Sequence, residues 1–432
     1  MTFLERSRNF IFWSFDLVKT NKVSTHYKEV KFINENPTHK KAINKRKTNV
    51  FDLLTHAKAT TTFYSNVEGD AIEDFPVIDK QIILDQYDDF LSSSFNDKDL
   101  VKSCTTGSTG IPFTFYRDDN KISRNTADTI YFSELAHYKV GTKLIYIRLW
   151  VEKYMKSKFV FFAQNIIPHN ILNNSKSEII DFLLMLKRIK AKKTLIAYPS
   201  FLEELCRFLE VSDDYDAKDT NIRSIITTSE KLNSFEKERA LYYFKAPIYE
   251  RYSNTENGII AQNTIRHKTN FQINHASFYL EVLDVNTNAH VKDGEVGKIV
   301  ITDLYNYAMP FIRYDTGDLA TYKVIENEYP VMSNVYGRRM DIVYSTAGKI
   351  LSPHLFYNIA DFSKLKQYQF IQNTKTSYTF KLNAKKEDTR ELDMINHFKQ
   401  YLGDDATFTF DYAQDIMHLD SGKRKKVLNL MS

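Results

Sequence analysis

The feature that most narrows the possible folds is an alternation of helical and extended patterns between residues 119 and 244. Residues 119–138 read as a helix, 143–150 and 158–163 as strands, and 177–190 as a helix. A short buried strand at 194–197 follows, then a helix over 200–210 that starts at a Ser cap after Pro199. The series closes with a strand at 222–227 and a helix at 234–244. A chain that changes period in this order builds a layered α/β domain. With 432 residues it can form one large or two unequal domains, each with its own core.

Just upstream lies Ser103-Cys104-Thr105-Thr106-Gly107-Ser108-Thr109-Gly110-Ile111-Pro112. Four hydroxyl side chains and two glycines fill the six positions from Thr105 to Gly110. Glycine lets successive N–H groups turn toward one point, and hydroxyls add donors suited to phosphate oxygens. No Gly-Lys-Ser/Thr closes the stretch as in a Walker loop, and it lacks the G-x-G-x-x-G of a dinucleotide site. It reads as an anion cradle or as a solvated turn between two strands. Ahead of it, Phe75-Pro76-Val77-Ile78-Asp79-Lys80 leads into a helix over 81–91.

The charge balance excludes one class of partner. The 59 basic and 54 acidic residues leave a net charge of +5, too small for this length to argue for nucleic acid. The two cysteines, Cys104 and Cys206, make neither a disulfide framework nor a Cys-based zinc cluster, and a reducing cytoplasm is the expected location. Aromatic residues are abundant (27 Tyr and 31 Phe), so an aromatic-rich core is expected. No apolar run has membrane-spanning length. Residues 3–18 read as an amphipathic helix, packed on the protein's own core or making a weak contact with a membrane surface or partner. Residues 20–60 are polar and read as loops and a solvated helix face.

Downstream, Thr228-Ser229-Glu230 ends the strand at 222–227, either as a site segment or as a helix N-terminal Ser/Glu pair. Tyr252-Ser253-Asn254-Thr255-Glu256-Asn257-Gly258 combines an aromatic face with a carboxylate, the group a hard cation on phosphate oxygens requires. Then come Ala308-Met309-Pro310-Phe311-Ile312-Arg313-Tyr314-Asp315-Thr316-Gly317-Asp318-Leu319 and Gly337-Arg338-Arg339-Met340-Asp341. A Gly348-Lys349 loop follows, and residues 367–412 alternate strand and helix as a small α+β domain. Near the end, Ser421-Gly422-Lys423 opens a basic run.

In order and spacing these segments resemble the adenylate-forming enzymes, most closely the phenylacetate–CoA ligase-like branch that includes capsular polysaccharide biosynthesis proteins. The resemblance implies a large N-terminal α/β domain over 1–336 and a small mobile α+β domain over 337–432. It implies ATP and Mg²⁺ as cofactors and CoA as a candidate acceptor. Thr105, Thr106, Gly107, Ser108, Thr109 and Gly110 would hold phosphates. Ser229 and Glu230 would line the adenine pocket, Tyr252 would stack on the purine, Ser253 and Asn254 would bind the nucleotide, Thr255 would contact phosphate and Glu256 would bind Mg²⁺. Asp318 and Arg338 would bind the ribose. Lys423 would be the catalytic cation, and Asp341 the hinge, because Met340 occupies the family's first Asp position. The implied reaction joins a carboxylic or amino acid to AMP and then passes the acyl group to a thiol such as CoA. A sugar amine or hydroxyl, or a carrier protein, are the alternative acceptors in surface polysaccharide biosynthesis, and a catalytically inactive scaffold is a further reading. Arg148-Leu149-Trp150-Val151-Glu152-Lys153-Tyr154 stands where phenylacetate ligases carry a glycine-rich aromatic pocket, which points to a polar or amino-bearing acid.

Overall fold

The run Lys193–Ala197 is buried at every position. A strand covered on both faces belongs in the middle of a parallel sheet with helices above and below. In the computed structural model this strand is β5, in a chain described except for residues 105–112, 151–154, 172–174, 213, 233, 339–342, 349, 352–355, 357–358, 360–361, 364, 366, 414–415, 417–426 and 432. The chain divides into two compact units, Met1–Thr316 with Ala320–Asn334, and Gly317–Leu319 with Val335–Ser432.

The first unit begins with three helices, α1 (Phe3–Lys19), α2 (Lys22–Glu35) and α3 (Lys40–Thr60), then the short α4 (Lys80–Asp85). A hairpin of β1 (Val101–Cys104) and β2 (Thr114–Arg117) precedes α5 (Asp119–Leu135). The α/β series follows as β3 (Lys143–Arg148), α6 (Lys158–Gln164), β4 (Ile166–Asn170), α7 (Lys176–Arg188), β5, α8 (Pro199–Glu210), β6 (Ile222–Thr227), α9 (Ser234–Phe244) and β7 (Ile248–Asn254). The remaining strands of the large sheet are β8 (Gly258–Asn263), β9 (Phe271–Ile273), β10 (Phe278–Leu283), β11 (Val296–Asp303), β12 (Tyr314–Lys323) and β13 (Val331–Arg338), of which β12 and β13 also contribute residues 317–319 and 335–338 to the second unit. The large sheet runs β10-β11-β12-β13-β9-β8-β7-β6-β5-β3-β4. Strands β4, β3, β5, β6 and β7 are parallel, and β7 pairs antiparallel with β8. One strand therefore joins a parallel half to an antiparallel half. Helices α7, α8 and α9 bury Leu183, Leu186, Phe201, Leu205 and Ala240 against the parallel half.

Several expectations are corrected. The apolar run at 158–163 is helix α6, not a strand: Ser157 accepts from the Val160 N–H, and Asn165 at φ +58° ends it. The strand is the next run, Ile166–Asn170, paired with β3. Helix α8 starts one residue early, with Pro199 at its first position and Tyr198 rather than Ser200 as the cap. The helix expected over 81–91 is α4, capped by Asp79, followed by a 3₁₀ turn at Tyr87–Phe90. Residues 20–60 are two well-formed helices rather than loops, because α2 is tied to α5. Tyr27 donates to Glu134, and Arg124 donates to Glu29 at 2.8 Å.

An aromatic cluster carries the β1–β2 hairpin. Phe113 and Phe115 are fully buried, and Phe113 stacks on Phe311 at 6.0 Å. The segment 75–80 is laid against the start of β12: Ile78 donates to the Arg313 carbonyl (3.0 Å), and Asp315 donates to that of Ile78 (2.7 Å). Arg313 itself sits at φ +54°, and its guanidinium makes paired bonds to Glu281 at 2.9 and 3.0 Å. A third nitrogen donates to the Phe75 carbonyl at 3.1 Å. A non-glycine residue in that backbone region is held there by its surroundings.

The second unit has a pair, β14 (Val343–Tyr344) and β15 (Ile350–Leu351), and a mixed sheet. Its strands are β16 (Gln367–Gln372), β17 (Ser377–Asn383), β18 (Thr407–Tyr412) and β19 (Val427–Asn429), in the order β18-β17-β16-β19. Helix α10 (Glu391–Leu402) covers it, burying Phe398 against Phe356, Phe370 and Phe380.

Two imidazoles, His26 half-buried and His275 buried, give the fold an acid limit. Burial first, and Arg124 second, lower His26 to about 4; burial and Arg46 lower His275 to about 3. The unfolded chain binds protons near the ordinary value of 6.5 that the folded chain refuses. Stability should therefore fall as pH drops below about 6.5, continuing through about 4 toward about 3. Thermal midpoints measured across this range check it; a flat profile would remove these histidines from the balance.

Candidate active site

Parallel pairing puts the carboxyl ends of β3, β4, β5, β6 and β7 along one edge. Arg148 faces Asn170 in register, and Ala197 faces Thr227. The turns leaving that edge carry the residues singled out by sequence, as expected for the ligand crevice of an open α/β sheet.

The tightest of these turns follows β7. Asn254 Oδ1 accepts from the Asn257 N–H at 2.8 Å, closing a four-residue turn with Thr255 exposed and Glu256 half-buried. Gly258 ends it at φ +98°, and a Cβ there would lie 2.8 Å from Asn125 Oδ1 on α5. From the same helix, Lys121 Nζ donates to the Asn257 carbonyl at 2.8 Å and pairs with Asp303 Oδ2 at 2.6 Å. The Lys121 side chain is 0% exposed and that of Asp303 2%. The residue after Glu256 is thus bolted to a buried ion pair. The Asn257 side-chain amide is also buried and has no hydrogen-bond partner among the described residues.

Two hydrogen bonds bring neighbouring segments to this turn. Ser253 Oγ and Thr228 Oγ1 are 3.3 Å apart, and the Tyr252 hydroxyl donates to Thr316 Oγ1 at 3.3 Å. Thr316 in turn donates to the Ile299 carbonyl at 3.1 Å. Segments 228–230, 252–258 and 314–316 are therefore in direct contact within the first unit. Ser229 is exposed at φ +72° and bonds the Tyr198 hydroxyl, whose pKa burial pushes up. Glu230 points its carboxylate at helix α8, accepting from the Ser200 N–H at 2.9 Å. Its local role is to satisfy a helix N-terminus.

The other candidates are less closely gathered. Asp318 is half-buried on β12, two residues beyond Thr316 and just after Gly317 at φ +76°. Arg338 ends β13. Thr105, Thr106, Gly107, Ser108, Thr109 and Gly110 lie outside the described residues, as do Asp341 and Lys423. The strands flanking the 105–110 stretch are described: Cys104 of β1 pairs with Thr114 of β2. Lys80 Nζ is 5.9 Å from the Phe113 ring, three residues past Gly110.

Sequence reasoning missed Lys121, Asn125 and Asn257. A signal existed for the first. Lys121, Arg124 and Asp128 recur at i, i+3 and i+7, so they share the helix face that also buries Ala127 and Tyr131. Charge on an apolar face marks buried ion pairing.

No family model and no curated protein sequence matches the chain. Solved structures do match. The 2-hydroxyisobutyryl-CoA ligase in the postadenylation state, in complex with R3-HIB-AMP, aligns with a TM-score of 0.69 at 15% identity, over 89% of this chain and 88% of that one. The same ligase in complex with 2-HIB-AMP and CoA in the thioesterification state gives 0.56 at 16%, over 90% of each chain. ATP-bound MatB from Rhodopseudomonas palustris gives 0.56 at 16%, over 78% of this chain and 68% of that one. The chain has the α/β fold of these proteins.

Proposed function

We propose that the protein is an ATP-dependent, AMP-forming ligase that activates a carboxylic acid as an acyl-adenylate and transfers the acyl group to a thiol such as CoA. The observation that carries this reading is the contact between segments 228–230, 252–258 and 314–316 at the carboxyl edge of the parallel strands. These stretches are far apart in sequence, and each was singled out for nucleotide chemistry. The structures with the same fold hold acyl-AMP, CoA or ATP, which supports the same substrates here.

In the first step a carboxylate oxygen attacks the α-phosphorus of ATP, and pyrophosphate leaves as the α–β bridging bond breaks. Thr105–Gly110 and Thr255 are assigned to phosphate oxygens, Tyr252 to the adenine face, and Asp318 with Arg338 to the ribose. In the second step the thiol sulfur attacks the acyl carbon and AMP leaves. Mg²⁺ takes one or two carboxylates plus phosphate oxygens, and Glu256, half-buried in the turn after β7, is the residue that would hold it. Mg²⁺ when bound neutralises phosphate charge. On the acid side, the Arg148 guanidinium lies 5.7 Å from the Tyr146 ring and 5.4 Å from that of Trp150, supporting a polar acid over phenylacetate.

Pyrophosphate release over a panel of carboxylic and amino acids, with and without CoA, tests the reading. No release with any acid would sink it, and release without CoA-dependent turnover would move the acceptor to a sugar or carrier protein. Two substitutions sharpen the assignment. Glu256→Gln keeps the shape of the turn and loses the charge, so pyrophosphate release should fall about a hundredfold or more. Wild-type rates from that variant would remove Glu256 from the site. Asp318→Ala should weaken ATP binding by about 2–4 kcal/mol, through loss of charge-assisted bonds to two ribose hydroxyls. Calorimetric titration reads this directly, and unchanged affinity would detach Asp318 from the ribose.

A further inference from the structure

Helix α1 turns its two acids, Asn9, Phe12 and Trp13 toward the protein, with Trp13 5.5 Å from the Tyr27 ring, and leaves a second apolar stripe toward solvent. Its buried side chains are Glu5 and Asp16. Glu5 accepts from the Thr2 N–H at 2.7 Å, and Asp16 accepts from the N–H groups of Val23 (3.1 Å) and Ser24 (2.8 Å) at the start of α2. Asn9 Nδ2 donates to the Val140 carbonyl at 3.0 Å. Gly141 lets the helix sit this close, since a Cβ there would lie 2.5 Å from the Glu5 carbonyl oxygen.

The opposite stripe consists of Phe3, Leu4, Phe10, Ile11, Phe15 and Val18, each 63% to 86% exposed. Helix α6 extends it. Phe159 and Phe162 are 76% and 70% exposed, and the Arg8 guanidinium is 5.2 Å from the Phe162 ring. Soluble monomers rarely leave so continuous an apolar surface without a partner.

Charge identifies the partner. Both acids of α1 are buried, whereas Arg6 and Lys19 are exposed. Lys156 and Lys158 are exposed beside the rings of α6, which has no acid. Neither helix offers solvent a carboxylate. A second copy of the chain docking by two-fold symmetry would bring these cations against themselves. An anionic lipid surface meets both demands, with rings at the acyl boundary and bases among headgroup phosphates. No described helix is long and apolar enough to cross a membrane, so the contact is one of lying on the surface. We propose that α1 and α6 together dock the protein on the surface of an anionic lipid bilayer.

Flotation of the full chain with vesicles tests this without reference to the reaction proposed above. The protein should float with vesicles containing phosphatidylglycerol, and binding should fall at least about tenfold on pure phosphatidylcholine or in high salt. Phe10→Glu with Phe15→Glu alters only exposed positions and should abolish flotation at unchanged thermal midpoint. Arg6→Glu with Lys19→Glu should weaken it at least about tenfold. Absence of flotation, or flotation indifferent to the Phe10/Phe15 pair, overturns the proposal. A dimer in light scattering that the same pair dissociates, without lipid binding, overturns it in favour of a second copy.

Discussion

Lys423→Ala is expected to lower acyl-adenylate formation by about a thousandfold or more while sparing the second half-reaction. Lys423 is the first base of the run that follows Ser421-Gly422, and a lysine ammonium, a compact charge on a four-carbon stem, is a suitable cation for the charge that builds between attacking carboxylate and phosphate. The variant should bind ATP nearly as the parent does, because the lost interaction is made in the transition state. Supplied with preformed acyl-adenylate and thiol, it should still form thioester at close to the parent rate. A solvated tail lysine predicts instead that neither half-reaction changes. Equal loss in both halves would put Lys423 in folding or in a fixed site serving both steps.

The second large effect is expected at Lys121. Lys121→Met leaves Asp303 buried without its partner, a change that costs about 3–5 kcal/mol. Urea denaturation followed by circular dichroism measures it, and a loss under about 1 kcal/mol would mean that the pair is not desolvated. The double variant Lys121→Met with Asp303→Leu should recover most of the stability, since both charges are gone. It should not recover pyrophosphate release, because the Asn257 carbonyl still lacks the donor that fixes the turn carrying Glu256. Stability rescued without activity separates a positioning role from a merely structural one.

These two residues mark what could be read from the chain. The alternation over 119–244 was legible because strands buried on both faces are short and apolar, and helices α7 and α8 carry start signals in Ser175 at the cap and Pro199 at the first helical position. The error at 158–163 has a local cause. Phe159 and Phe162 look like core residues, but their burial is decided by Ser157 starting a helix whose inward residue is Phe161. The turn at 254–257 was legible as chemistry and not as architecture. Its Asn254 cap is local, whereas its anchor on Lys121 and Asp303 joins residues that no periodicity links. For Glu230 the sequence offered a site residue or a helix-end residue. The structure gives it a helix end, though that of α8, which precedes it in the chain. The pattern over 3–18 predicts a helix but not its inward side, because Glu5, Asn9 and Asp16 find partners that sequence does not reveal.

The position of β7 bears on how the molecule would resist degradation. Its Ile225–Ile248 register ties it to the parallel half, and its Arg251–Gln262 register ties it to the antiparallel half. A partly opened chain that has shed either half loses one flank of the turn after Asn254. A nucleotide held at that turn, as proposed above, would bind only the species in which both halves are joined, and would stabilise it by mass action. Under limited proteolysis, added ATP should slow cleavage on both sides of β7 together and to the same degree, so that the two half-sheets answer the protease as one cooperative body.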